Sequence, residues 1–404
     1  MFRVPLALIA AVGIASCEAD THPGNPTRET LPNGAVLIRY PDLPTIDSVG
    51  PEVTEVQVDL RFGSREGDDP NLTFGRIQGV QAASDGTIYV LDGQAQEVRV
   101  FGPDGEYLRT IVRRGEGPGE TTGASGIILA GDTLLWMYDF RQGIIGVSPN
   151  GEEVRRFEKL AYDPAYYWSG TFDNHGRYWM AAYHVDEQRS GDITRAGPYT
   201  ETYWRYYKSY DLSTEAVDSV PLGERVTRTY LFDFGPGLGF MDIPFVSSDV
   251  TAVRPSGGFW HSGNTAYRIT RSSEQGDTLI VVEAALPALP VTAEERSAYI
   301  HSTVDRWPGH RSAAERAADV IADFKPIFQS FFVDDEDRLW AKRTTPTDAL
   351  PFYDLFSADG DYLGSVRLGF PPAPGSRIWV RYGSLYTWVV DEFDVQYVVR
   401  APLS

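Results

Sequence analysis

The sequence predicts an all-β chain: a six-bladed β-propeller closed by an N-terminal strand, with a two-helix insertion at about 292–326. Three observations predict it. A turn followed by a strand bearing Tyr or Trp recurs at Tyr89, Trp136, Trp179, Trp260, Trp340 and Tyr386, at spacings of 47, 43, 81, 80 and 46 residues. A second turn series follows the third strand of each of the first five units: Pro103-Asp104-Gly105, Pro149-Asn150-Gly151, Asp211-Leu212-Ser213, Glu274-Gln275-Gly276 and Ala358-Asp359-Gly360. The stretch from Gly75 to Glu120 reads as four short strands between turn signals, the size of one propeller blade.

The first sixteen residues read as an export signal. Arg3 supplies the positive charge, and Val4 to Ile14 form an apolar run too short to span a bilayer comfortably. Ile14-Ala15-Ser16-Cys17 resembles the lipobox of bacterial lipoproteins. That resemblance implies cleavage before Cys17, diacylation of its thiol and anchoring in the bacterial cell envelope through lipid. Cys17 is the single cysteine of the chain, so no internal disulfide forms. Residues 17–51 are polar and carry prolines at 23, 26, 32 and 41, the composition of an extended tether. Within it, Val36-Leu37-Ile38-Arg39-Tyr40 is a candidate short strand. The propeller is expected over 52–404.

In the first unit, Thr87 to Leu91 is β-branched, aromatic and aliphatic, and Glu97 to Phe101 alternates polar with apolar, the period of a half-buried strand. Pro103-Asp104-Gly105 turns the chain, because Pro fixes φ and Gly accepts a tight bend. The sixth unit ends at Val395 to Val399 without a fourth strand. Glu55 to Gly63, ahead of the first unit, resembles the fourth strands of other units and is expected to complete the sixth. Seven blades is the competing count. Gly86-Thr87-Ile88-Tyr89-Val90-Leu91-Asp92, with Val98 to Phe101 and Asp104 to Leu108, resembles an NHL-type repeat. On these residues the chain is similar to the six-bladed β-propeller lipoproteins of environmental bacteria, a largely uncharacterised family.

Two insertions interrupt the repeat. Over 291–328 the apolar period changes from 2 to about 3.6. Thr292-Ala293-Glu294-Glu295 is a capping box opening a helix to about Arg306, stopped by Trp307-Pro308-Gly309. Ser312-Ala313-Ala314-Glu315 is a second box, opening a helix to about Lys325. The pair either covers blade edges or forms a lid over the channel mouth; as a lid it would turn His301, Trp307 and His310 toward a ligand. In the third unit His184 to Tyr203 reads as a polar insertion, in a region rich in aromatics that includes Trp168.

The net charge of −20 argues against nucleic acid as partner. The glycines at 115, 117 and 119 and at 235, 237 and 239 lack phosphate-loop spacing, and no zinc-binding histidine pattern or GxSxG elbow is present. The chain therefore reads as a monomeric, non-catalytic binding scaffold without a cofactor. It would present its channel face to a protein, peptide or glycan, with Gln78, Trp168, Asp249, His301 and Trp307 as candidate contacts. The alternative is a calcium-dependent lactonase or esterase. Six-bladed propellers related to gluconolactonases and paraoxonases hold calcium in the channel through inner-strand oxygens, here Gln78, Gln81, Asp173, Asn174, Ser247, Ser248 and Asp249.

Overall fold

The computed structural model describes residues 25–65, 67, 69–157, 171–346 and 349–403. The signal segment, Cys17 and Trp168 lie outside them. The described strands form six sheets, one per blade of a six-bladed propeller. Blade 1 runs Ile77–Ala82, Ile88–Asp92, Glu97–Phe101, Tyr107–Val112, and blade 2 runs Ala124–Ala130, Leu134–Asp139, Gly143–Val147, Glu153–Phe157. Neighbouring blades share apolar seams. Val98 and Leu91 meet Ile127 and Met137 between blades 1 and 2, and Trp136 meets Tyr178 and Tyr210 between blades 2 and 3. Ile269 and Trp260 meet Phe328 and Phe331 between blades 4 and 5.

The repeated aromatic has a local cause. In Asp173-Asn174-His175-Gly176-Arg177-Tyr178-Trp179, the Trp179 indole N–H donates to the Asp173 carboxylate at 2.8 Å, and Arg177 Nε donates to it at 2.8 Å. Blade 5 repeats the bracket: Trp340 donates to Asp334 at 2.8 Å and Arg338 at 2.7 Å. In both, the other carboxylate oxygen accepts two backbone N–H groups and fixes the turn. In blade 4 the corresponding position is Arg254, which pairs instead with Asp337 of blade 5, and the buried Trp260 N–H has no partner.

The N-terminal segment departs from the tether expectation. From Thr27 the chain is edge strand. Thr27–Thr30 pairs with Val36–Tyr40, and Val36–Tyr40 pairs in parallel with the outer strand of blade 4, Thr278–Ala284. Val53–Val56 then pairs in parallel with the outer strand of blade 5, Tyr362–Leu368. Leu60–Phe62 finally completes blade 6, antiparallel to Gln396–Pro402, with Phe62 opposite Val398. The stretch expected as one strand over 55–63 is thus split between two blades. Ile38 is fully buried in the seam of blades 4 and 5, and Tyr40 donates its hydroxyl to the Gly360 carbonyl at 3.0 Å, contacts that a solvated spacer lacks.

The third blade also differs from expectation. His184 to Tyr203 is not a separate insertion but the far end of a hairpin: Arg177–Val185, Gly197–Asp211 and Ala216–Asp233 run on as a long ribbon, residues 186–196 connect the first two, and Leu238–Asp242 adds to its tip. The first helix, α1 (Ala293–Arg306), has the capping box expected at Thr292 and Glu295. The second, α2 (Arg311–Ala318), starts earlier and ends sooner than expected. His310, not Ser312, is its N-cap, because the His310 ring stacks edge-on against Phe232 at 4.9 Å and draws the turn inward. Arg296 of α1 donates to the Ala318, Ile321 and Ala322 carbonyls at 3.0–3.1 Å and so terminates it.

Two stability changes follow. Ile38→Ala should cost about 2–4 kcal/mol, the usual penalty for emptying a buried aliphatic site, whereas a tether would give no change; chemical denaturation decides. Asp334→Ala should cost about 2–4 kcal/mol by orphaning the Trp340 indole and two turn amides, and the same measurement should show a smaller loss for Asp85→Ala, whose carboxylate accepts from Thr87 alone at 2.9 Å.

Candidate functional site

In an up-and-down blade, the first and third connections emerge on one face, and the second connection and the passage to the next blade on the other. The bracketed turns of Asp173 and Asp334 lie on the first, the turn face. The ribbon of blade 3 extends from the second connection, and the helices lie in the passage from blade 4 to blade 5. Both therefore fall on the second, insertion face, and they meet there. Tyr230, Phe232, Met241 and Ile243 of the ribbon region pack with Ala313, Ala317 and Ile321. Trp307 lies edge-on to Phe232 at 5.2 Å, and Arg316 Nε donates to the Tyr230 hydroxyl at 2.8 Å. Lys325 pairs with Glu295 across the insertion.

The passages of the insertion face are fixed by buried carboxylates. Asp92 accepts from the amides of Gly75, Arg76, Gln94 and Ala95 at 2.9–3.1 Å. Asp139 accepts from the Thr121 hydroxyl at 2.7 Å and from the amides of Thr122, Gly123, Arg141 and Gln142. Burial alone would raise the Asp139 pKa, but the Thr121 hydroxyl and these amides hold it below the usual carboxylate range. Both are structural groups whose acceptor capacity is spent on backbone. A cavity of about 470 Å³ opens beside the first, lined by Pro70, Thr73, Gly75, Asp92, Gln94 and Arg99, and Arg99 closes one wall by donating to the Thr73 carbonyl at 2.6 Å.

The residues singled out from sequence separate in space. The Gln78 amide lies between the Ala124 carbonyl of blade 2 and the Arg76 guanidinium, and the orientation that satisfies both, with its nitrogen toward Ala124 at 2.9 Å and its oxygen toward Arg76 at 3.0 Å, joins blades 1 and 2. His301 is exposed on α1, its Nδ1 2.7 Å from the Ser297 carbonyl one turn back. Trp307 is spent on the helix–ribbon contact. Asp249 pairs with Arg205 of the ribbon, both on the side of blade 3 that meets blade 4. The passage 243–249 joins these last two places, since Phe245 and Val246 pack with the helices.

The cluster at Asp249 was not legible in sequence. Cross-strand pairing sets Tyr203 opposite Arg225 and Arg205 opposite Gly223 and Tyr183. Tyr183 and Tyr203 meet edge-on at 5.1 Å, and the Tyr203 hydroxyl donates to Glu201. Burial pushes Tyr203 up to about 12. His261, on the second strand of blade 4, lies within the field of Asp249 and Arg205, with Nε2 3.1 Å from the Ser272 hydroxyl. The calcium donors expected from sequence do not converge. Gln81 is bound between Val80 and Leu129, Asp173 holds Trp179 and Arg177, and Asp249 is neutralised by Arg205. Among the described residues no three His, Cys, Asp or Glu side chains group as metal ligands, so this donor set does not fit the ion.

A family model described as a 6-bladed beta-propeller matches residues 59–161. No curated protein matches the chain. Among solved structures, a member of the duf4221 family from Bacteroides vulgatus is 11% identical, covering 86% of this chain and 97% of its own, with a TM-score of 0.44. Regucalcin from Agrobacterium tumefaciens, a calcium-binding protein, is 10% identical over 86% of this chain and 96% of its own, at a TM-score of 0.38. Virginiamycin B lyase from Staphylococcus aureus is 10% identical over 81% and 95%, at 0.37.

Burial lowers His261 to about 4, the Arg205 charge adding to it and Asp249 opposing. An unfolded histidine titrates near 6.5, so between those values the unfolded chain holds the extra proton and stability falls as the pH drops. The contribution amounts to about 3 kcal/mol between pH 7 and pH 4. Denaturation at pH 7, 5.5 and 4 should give His261→Gln a shallower acid slope than the wild type; parallel slopes would contradict this environment.

Proposed function

We propose that the protein is a lipid-anchored cell-envelope binding propeller that holds a protein, peptide or glycan on its insertion face. One observation carries this reading. Large apolar side chains exposed away from the outer blade edges fall on connections of that face: Tyr183, Val185, Trp204, Val226, Phe234 and Phe240 in the ribbon region of blade 3, Phe140 on blade 2, Phe324 in the helical passage and Phe393 on blade 6. On the connections of the turn face, Tyr382 is the exposed large apolar side chain among the described residues. Exposed aromatics mark recognition surfaces, and the Trp204 indole, held by Asp186 at 3.1 Å, is oriented rather than free. The anchor rests on the lipobox resemblance at Cys17; among the described residues no helix is long and apolar enough to cross a membrane.

The two insertions support a binding role over a purely architectural one. Their shared core makes a rigid platform that the six blade seams do not need, and rigid platforms present side chains with little entropic loss on binding. Glycan and peptide arrays probed with the full chain in detergent should yield ligands whose capture drops about tenfold in Tyr183→Ala/Trp204→Ala. Melting temperature should stay within about 2 °C, as both side chains are solvated. Leu363→Ala, exposed on the fourth strand of blade 5, serves as the control. Unchanged capture by the double variant would place the ligand elsewhere.

A further inference from the structure

The ribbon surface turned to blade 4 carries an unbalanced charge. Arg205 and Arg225 project from the same side of the ribbon, on neighbouring strands one register apart. Arg205 has a counter-ion in Asp249 and also donates to the Leu222 carbonyl at 3.3 Å. Arg225 forms no ion pair among the described residues, and its Nε, like that of Arg205, is buried without a hydrogen-bond partner. The carboxylate next along the strand, Glu201, is taken by the Tyr203 hydroxyl. His261 adds no charge at neutral pH. Two guanidiniums thus face one available carboxylate, inside a chain whose net charge is −20.

An unpaired buried cation is costly, and charged groups left so are normally matched by a counter-charge or lost to solvent. Burial and the nearby Arg205 lower the Arg225 pKa, as expected for a guanidinium short of partners. A planar guanidinium with free N–H groups is suited to the two oxygens of a carboxylate or phosphate. Beside it stand the Tyr203 ring and the exposed Tyr183 ring, 5.1 Å apart and edge-on. Such rings accept the apolar face of a sugar or side chain.

We propose that Arg225 and Arg205 form an anion site that receives the carboxylate or phosphate group of a ligand, with Tyr183 and Tyr203 against the ligand body. The site specifies the chemistry of the binding face described above and rests on that reading. Asp249 is a positioning residue: it orients Arg205 and leaves Arg225 as the open donor.

The test is thermal unfolding and titration calorimetry of the full chain in detergent with galacturonate, inorganic phosphate or neutral galactose, at constant ionic strength. Galacturonate, phosphate or both should raise the melting temperature in proportion to the logarithm of concentration, and galactose should not. Stabilisation by phosphate alone would identify a phosphate-bearing ligand, and by galacturonate alone a carboxylate-bearing one. Arg225→Gln should abolish the effect while leaving the free protein as stable as wild type or more so, since a half-buried charge without an ion-pair partner is removed. Arg225→Lys, which keeps the charge but loses the fork, should weaken binding about tenfold and covers the case in which the glutamine variant misfolds. No stabilisation of the wild type at tens of millimolar, or a shift that persists in Arg225→Gln, would overturn the site. If the anions bind as expected but Tyr183→Ala/Trp204→Ala captures array ligands normally, the arginine pair stands as an anion site, while the part given to Tyr183 and the apolar binding face fail. Loss of array capture with no anion effect would keep the apolar face and overturn the anion site.

Discussion

Closure of the ring is the constraint on which the other features depend. Six twisted sheets packed around an axis leave one seam at which the first and last blades must be joined, and a three-residue strand, Leu60–Phe62, joins them. Its force comes from side chains as much as from the ladder. Phe62 stacks on Phe101 of blade 1 with ring centroids 4.6 Å apart, while its backbone pairs with Val398 of blade 6. Arg400 clamps Asp59 at 2.8 Å next to it. Gly105 passes so close to Phe62 that a Cβ there would lie 2.8 Å from the ring, and its φ of +83° is one that side-chain-bearing residues rarely adopt. The Pro-Asp-Gly turn of blade 1 is therefore shaped by the closing strand as well as by its own hairpin.

With the ring closed and its seams filled, variation is confined to the connections, and the meander allots these to two faces. The turn face repeats: the Asp–Trp bracket appears in blades 3 and 5 with the same partners at nearly the same distances. The insertion face repeats in the Asp92 and Asp139 passages of blades 1 and 2 and departs from repetition in blades 3 to 5. It carries the ribbon, the helices, the exposed aromatics and the uncompensated arginine.

Much of this was readable in the chain. The six aromatic strands, both turn series and the Thr292–Glu295 box rest on local chemistry, and the structure places each as local chemistry dictates; the strand that completes the last unit was expected over 55–63 and is only Leu60–Phe62. Val36–Tyr40 is legible as a strand, but the rest of the N-terminal wrap is not: Thr27–Thr30 is exposed throughout and the segment is rich in prolines, so it resembles a solvated spacer, and only pairing to strands some 240 and 310 residues away makes it part of the sheets. The ribbon was read as an insertion because an exposed two-stranded extension alternates polar and apolar residues without the turn signals of a blade. The Arg205, Arg225, Asp249 and His261 cluster had no signal as a group. Its members lie on four strands or passages; Asp249 alone is a candidate from sequence, and only the fold brings the four together. Gln78, by contrast, was chosen for its inner-strand position and is spent on holding two blades.

The path of the N-terminal segment bears on the order of assembly. It visits blade 4, then blade 5, then blade 6, pairing with residues made late in synthesis. For most of translation those first strands have no mate, and blades 4 and 5 emerge with bare outer edges awaiting a segment already made. Such a topology has high contact order and a late, concerted final step. Loss of the last few residues would thus unseat a strand at the opposite end of the chain, and a truncated product should stay open at its rim rather than fold as a shorter ring. The ring is locked only when its earliest and latest residues meet.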